Sequence, residues 1–312
     1  MMNARPLPFW ATAAAAFGAV ASLAAAFPAR ATAAVDVVTS TPELAAIARQ
    51  VGGGLTRVVS LAKPDQNYHK IEAKPTDVVK VANADVFVRV GMDLDPWADA
   101  LLNAARNRKV QPGGGPGYVD AGRLIRKKDV PTERITGASG DIHVLGNPHY
   151  WLDPANAKVI AYQIDLALRR VDPANAAAYD ANYARFSAEV DRRLAQWVRE
   201  LAPYKGKAVV AYHEEWVYFL DRFGLKGFGY LEPKPGIPPS PAHVSALINR
   251  MKSAGVKAVI VPSIYPTRFA DLVARETGGT VSVVPYSVGA RGTRDYFDYI
   301  DAIVEGFRKA LG

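Results

Sequence analysis

Five histidines are the residues of this 312-residue chain best suited to chemistry, and no cysteine stands beside them. The absence of Cys excludes disulfides, thiolate zinc fingers, iron–sulfur ligation, thiol catalysis and a lipidated N-terminal Cys. Any metal site must therefore use imidazole nitrogens or oxygen donors. His69, His149 and His213 are far apart in sequence and form no local metal motif. Neutral imidazole suits zinc and other borderline ions. Taken one at a time, a loop histidine is more often a surface or hydrogen-bonded polar residue than a ligand. His213-Glu214-Glu215-Trp216-Val217 starts like the H-E-x-x-H helix of zinc proteases but carries Val where the second His is needed. There is no G-x-S-x-G nucleophile elbow. The glycine-rich run at 113–117 lacks the Lys-Ser/Thr of a phosphate loop and reads as a flexible surface loop.

The elements that would position these histidines follow from hydrophobic periodicity and capping. Residues 35–39 read as a short strand. Thr41-Pro42-Glu43 then opens a helix whose Leu44, Ile47, Ala48 and Val51 recur at helical spacing before Gly52-Gly53-Gly54. Strands are expected at 55–61 and 85–90, with helices from about Pro75 and over 96–106. Residues 111–148 show no clear period. Residues 173–203 hold no internal Gly or Pro, and Tyr179, Tyr183, Phe186, Val190, Leu194, Trp197, Val198 and Leu201 recur by threes and fours. They predict one long helix, a stiff strut. After it, strands at 207–212, 226–230, 256–261 and 281–284 alternate with helices at 214–223, 242–254, 267–277 and 293–311. The alternation predicts an α/β chain of two Rossmann-like lobes, with parallel sheets flanked by helices, about four βα units in each. The expected boundaries are 35–171, a linking helix at 172–203, and 204–312. In such sheets ligands bind beyond the carboxyl ends of strands. His213 directly follows the strand Val209-Val210-Ala211-Tyr212, His69 lies in the loop after 55–61, and His149 lies just before a helix. The topology lets three imidazoles face one cleft.

Residues 1–34 read as a secretory signal peptide: Arg5, an uncharged Ala-rich stretch from Phe9 to Phe27, then small residues around Ala31, Ala33 and Ala34. An uncleaved membrane anchor is the other reading of that stretch. Export to a bacterial periplasm also fits the missing Cys. The net charge of +8 points to nucleic acid only if it clusters. Arg123, Arg126, Lys127 and Lys128 form the one tight basic group, without interleaved aromatics, and read as a solvated loop. No nucleic-acid partner is expected.

Three segments together resemble the periplasmic metal-binding proteins of zinc and manganese ABC importers, the cluster A-I solute-binding proteins. His69-Lys70-Ile71-Glu72-Ala73-Lys74-Pro75-Thr76-Asp77 is similar to a family segment with His followed by Pro-Ser/Thr-Asp. Asn147-Pro148-His149-Tyr150-Trp151-Leu152-Asp153-Pro154 resembles its Asp-Pro-His-x-Trp-Leu block, with Asn147 in the Asp position. Tyr212-His213-Glu214-Glu215-Trp216-Val217-Tyr218-Phe219 resembles its strand-end His followed by an aromatic helix. The resemblance implies two pseudo-symmetric lobes bridged by a long helix, with the metal site in the interlobe cleft. It implies His69, His149 and His213 as ligands, Zn²⁺ as cargo delivered to an ABC membrane permease, a monomer, and no enzymatic activity. His213 leans towards the zinc type, since manganese-type members often carry Glu there.

Two departures stand out. The family's fourth ligand, a carboxylate, aligns with Tyr286 here, which leaves Glu214, Glu232, Tyr286 or water for that place. The His-rich acidic loop of many zinc-type members is missing, and His143 alone lies in residues 111–148, so no accessory metal capture is expected there. His243, in Ser240-Pro241-Ala242-His243, reads as structural. The run from Glu232 to Ser240 is dense in proline. It reads as a rigid turn into the next helix, or as a preformed wall of the cleft or a docking edge for the permease. Transport of Mn²⁺ or Fe²⁺ is the alternative cargo. A zinc hydrolase with Glu214 or Glu215 as base, and an adhesin or scaffold, are the readings from other classes.

Overall fold

A computed structural model gives the fold and describes residues 1–3, 34–133 and 140–312. The expected signal peptide lies, over residues 4–33, outside the described residues. Among the described residues, eight strands form two parallel four-stranded sheets. The first holds β1 (Val35–Thr39), β2 (Thr56–Ser60), β3 (Val86–Arg89) and β4 (Tyr118–Asp120); the second holds β5 (Ala208–Ala211), β6 (Lys226–Tyr230), β7 (Ala258–Pro262) and β8 (Thr280–Val284). Their orders, β2-β1-β3-β4 and β6-β5-β7-β8, are one topology used twice. The inner strands read as near-continuous apolar runs because helices cover both faces of a parallel sheet, and β3 and β7 are buried throughout.

The helices are α1 (Pro42–Gly52), α2 (Pro75–Asn83), α3 (Trp97–Ala105), α4 (Pro154–Val171), α5 (Ala176–Leu201), α6 (Val217–Phe223), α7 (Pro241–Ala254), α8 (Arg268–Thr277) and α9 (Tyr296–Leu311). Proline, with its fixed φ and missing N–H, opens α1, α2, α4 and α7. Asp153 and Ser240 cap α4 and α7 with their side chains. The 26 residues of α5 span roughly 40 Å at ~1.5 Å per residue. This helix packs on α1 and α4 and also on α9. Asn182 Nδ2 donates to the Val51 carbonyl at the end of α1 (2.9 Å), and Trp197 Nε1 donates to Asp301 Oδ1 on α9 (2.7 Å). Buried Tyr179, Phe186, Val190, Trp197 and Leu201 make its inner stripe, whereas Val198 is exposed. The largest apolar cluster runs from Leu44 and Val88 in the first lobe to Ile260 and Phe307 in the second, and each lobe adds a smaller cluster of its own.

Two elements differ from the sequence expectation. The irregular stretch at 111–148 contains β4, which pairs with β3 through Val88↔Val119. Gly117 admits this pairing, since a Cβ there would lie 1.9 Å from the Asp85 carbonyl oxygen. Helix α6 starts at Val217 rather than at 214. Residues 213–216 turn sharply after β5, with the Glu215 N–H bonded to the His213 carbonyl (3.0 Å).

Candidate metal centre

His69 stands on a single 3-10 turn, Tyr68–Lys70, placed by the loop that leaves β2. Asn67 Oδ1 accepts the His69 N–H (3.0 Å). Tyr68 is fully buried behind it. Its hydroxyl donates to Glu43 Oε1 (2.9 Å), and its N–H donates to the Tyr286 hydroxyl in the other lobe (3.2 Å). His149 precedes the turn into α4. Asn147 Oδ1 faces both its backbone N–H (3.1 Å) and its Nδ1 (3.0 Å), while Asn147 Nδ2 donates across to the Glu214 carbonyl (2.8 Å). His213 follows β5, and its Nδ1 meets Glu232 Oε2 at 2.7 Å with both side chains buried. The same oxygen accepts the Gly236 N–H (3.0 Å).

The structure brings these three histidines together. One ring nitrogen from each lies within 4.8 Å of the other two, and no other trio of His, Asp or Glu groups in this way among the described residues. Ring centroids are 5.4 Å apart for His69 and His149, 5.3 Å for His69 and His213, and 5.5 Å for His149 and His213. Nitrogens around a tetrahedral zinc, at ~2.0–2.1 Å from the ion, stand about 3.4 Å from one another. A contraction of about an ångström would seat one. The Nε2 atoms of His69 and His149 are buried and have no hydrogen-bond partner. An orphaned buried polar atom calls for an explanation, and an imidazole whose Nδ1–H is already committed turns a free lone pair the other way. For His149 that commitment is to Asn147.

Burial, and then the neighbouring imidazoles, hold His69 and His149 well below the ordinary pKa of 6.5, which leaves them neutral and able to ligate. For His213 burial acts in the same direction, but the Glu232 hydrogen bond and the Glu215 and Glu232 charges outweigh it and raise the pKa. Burial pushes Glu215, two residues after His213, up to about 8, and its Oε1 has no partner.

The proposed fourth-ligand residues occupy different places. Glu232 backs His213 from the Nδ1 side, as outer carboxylates of metal-bound histidines do. The Tyr286 hydroxyl accepts the Tyr68 N–H and its ring packs on Tyr68, with centroids 4.8 Å apart. Glu214 lines a cavity with His149 and His213. His243 lies apart from the trio, with Nε2 against the Tyr230 carbonyl at 2.9 Å. The proline-dense run enters α7 as a rigid turn, and Pro235 also forms cavity wall beside His149 and His213. Asp93, Asp129, Asp141 and Glu214 line the cavities around the imidazoles, an acidic mouth on a chain of net charge +8. Such a local field favours cation entry. Sequence reasoning missed the position of His143, which lies beside His69, and the hydrogen bonds that Asn147 and Glu232 make to the Nδ1 atoms of His149 and His213. Only an acid or amide near each histidine could have hinted at the latter two.

The model of the periplasmic zinc-uptake complex component A, ZnuA, matches residues 37–310. The chain belongs to this family. It is accordingly a periplasmic metal-binding component of a metal-uptake system. Among its relatives, the high-affinity zinc uptake system protein ZnuA of Yersinia pestis is 29% identical over 255 residues, 77% of this chain and 79% of the relative. The iron-binding protein YfeA of Yersinia pestis is 26% identical over 294 residues, 88% of this chain and 86% of the relative. A crystal structure of ZnuA superposes with a TM-score of 0.75 at 25% identity, covering 89% of this chain and all of that one. The fold is thus shared with that protein.

Proposed function

We propose that this chain captures Zn²⁺ in the periplasm through His69, His149 and His213 and hands it to the membrane permease of an ABC importer. The observation that carries the reading is the convergence of three imidazole nitrogens within 4.8 Å, beside the buried, partnerless Nε2 atoms of His69 and His149. Imidazole-rich sets suit zinc better than they suit harder ions. Burial between the lobes fits a carrier, which must close around its cargo, better than a hydrolase, which must admit a substrate. We expect no turnover in an esterase or phosphatase screen with added zinc. The iron-binding relative supports a second reading, iron as cargo; Mn²⁺ is the further alternative within the same transport role. Export is expected to use the signal peptide at residues 1–34, and the carrier is expected to act as a monomer.

A thermal melt of the metal-stripped protein against Zn²⁺, Mn²⁺, Fe²⁺ and Cu²⁺ tests this. A ligand present at a thousandfold excess over its Kd stabilises the folded state by about 4 kcal/mol. The largest upward shift is expected with zinc. A larger shift with Mn²⁺ or Fe²⁺ would transfer the cargo assignment to that ion, and no shift with any metal would overturn the reading.

A further inference from the structure

His143 is alone in an irregular stretch of sequence, yet the fold sets it beside the three-imidazole cluster. Its ring centroid lies 5.1 Å from that of His69, closer than any two of the three rings lie to each other. Its Nδ1 faces the Asp93 carbonyl at 3.0 Å, so that nitrogen carries the proton and Nε2 carries the lone pair. Nε2 is buried and has no partner, the same condition as the Nε2 atoms of His69 and His149. The Asp93 carbonyl is held in place by unusual backbone. Met92 and Asp93 both have positive φ, 50° and 61°, a conformation that costs non-glycine residues energy and persists where the surroundings require it. The loop bearing His143 is also built rather than loose. The Asp141 N–H donates to the Pro235 carbonyl (2.8 Å), and the Gly146 N–H donates to the His143 carbonyl (3.1 Å). Gly140 allows the close approach to Pro235, since a Cβ there would meet that carbonyl oxygen at 2.3 Å. His143 lines both cavities that flank the cluster, one with His149 and His213, the other with His69.

We propose that His143 is the fourth metal ligand and completes an all-imidazole site. This rests on the zinc-carrier reading above. His143 stands outside the trio whose nitrogens lie within 4.8 Å of each other, so ligation draws the loop at 140–146 inward. The loop hangs on Pro235, in the same proline-dense run as the Glu232 that orients His213, so its movement and the setting of His213 share one support. Four neutral nitrogens fill a tetrahedral shell for zinc and supply none of the oxygen donors that Mn²⁺ prefers.

Long-range proton–nitrogen spectra of ¹⁵N-histidine-labelled protein, with and without Zn²⁺, test this. Of the five histidines, four are expected to move to the pattern of a metal-bound Nε2, with His243 unchanged. His143→Ala should bind zinc at least about tenfold more weakly, and its preference for zinc over Mn²⁺ should fall. His143→Gln serves as a second variant should the first fold poorly. If His69, His149 and His213 move and His143 keeps its metal-free pattern, the proposal fails and the carrier reading stands. If none of the four moves, both fail.

Discussion

Glu232→Gln isolates what a carboxylate behind His213 does for the site. Glu232 Oε2 takes the His213 Nδ1–H at 2.7 Å and the Gly236 N–H at 3.0 Å. The Gln oxygen can accept both bonds, so the change removes charge and little else. A hydrogen bond to a charged group contributes about 1.5–3 kcal/mol and a neutral one about 0.5–1.5 kcal/mol. The difference, about 1–1.5 kcal/mol, is roughly tenfold in affinity. Chelator competition at about pH 8, where proton competition is weak, should show zinc binding weakened by that factor. Lower pH adds a second effect of opposite sign. Burial depresses the His213 pKa, but the Glu232 bond and the Glu215 and Glu232 charges raise it above 6.5 overall, so zinc must displace a proton there as pH falls. The Gln variant holds that proton less tightly. The gap between variant and wild type should therefore narrow at about pH 5.5. Equal affinities at the higher pH would remove Glu232 from the site, and a gap of constant size would refute the proton argument.

Other positions give independent tests. Burial lifts the Glu43 pKa from 4.5 to about 7, so the folded state keeps a proton that the unfolded chain releases. That contribution is whole below about pH 4.5 and is lost as pH rises through 7, by on the order of 3 kcal/mol. Glu43→Gln should gain melting temperature over wild type as pH rises across this window; a difference independent of pH would count against it. Asp153 accepts the Ala155 N–H at the start of α4 (3.0 Å) and grips Arg222 of the other lobe at 2.7 and 2.8 Å. Because Arg222 is 37% exposed, the ion pair is partly screened, and Asp153→Asn should cost about 1 kcal/mol in denaturant unfolding. Asp153→Ala also loses the cap and should cost about 2 kcal/mol, so equal losses would mean the cap contributes nothing.

Much of the positioning framework was legible because it rests on local signals. Pro-opened helices, Gly stops and short apolar runs gave α1, α5, α7, β5 and β7 to within a few residues. The strand β4 was not legible. Its residues Tyr118–Asp120 follow a glycine-rich run, carry no alternation, and become a strand only through pairing with β3. The start of α6 was read too early because Glu214 and Glu215 favour helix locally, whereas the chain must turn there to present His213. His69, His149 and His213 stood out as residues after strands or before helices, and the fold brings them together. His143 had no periodic frame around it, and its neighbour Asp93 is 50 residues away in sequence, so no local pattern could join them.

Calorimetric titration of zinc into the metal-stripped wild type and His149→Ala tests the three-imidazole site most directly. His149 is buried, with Nδ1 against Asn147 and a buried Nε2 that has no partner. One zinc per wild-type chain is expected, with affinity reduced by orders of magnitude in the variant. Unchanged affinity in a folded His149→Ala protein would contradict it.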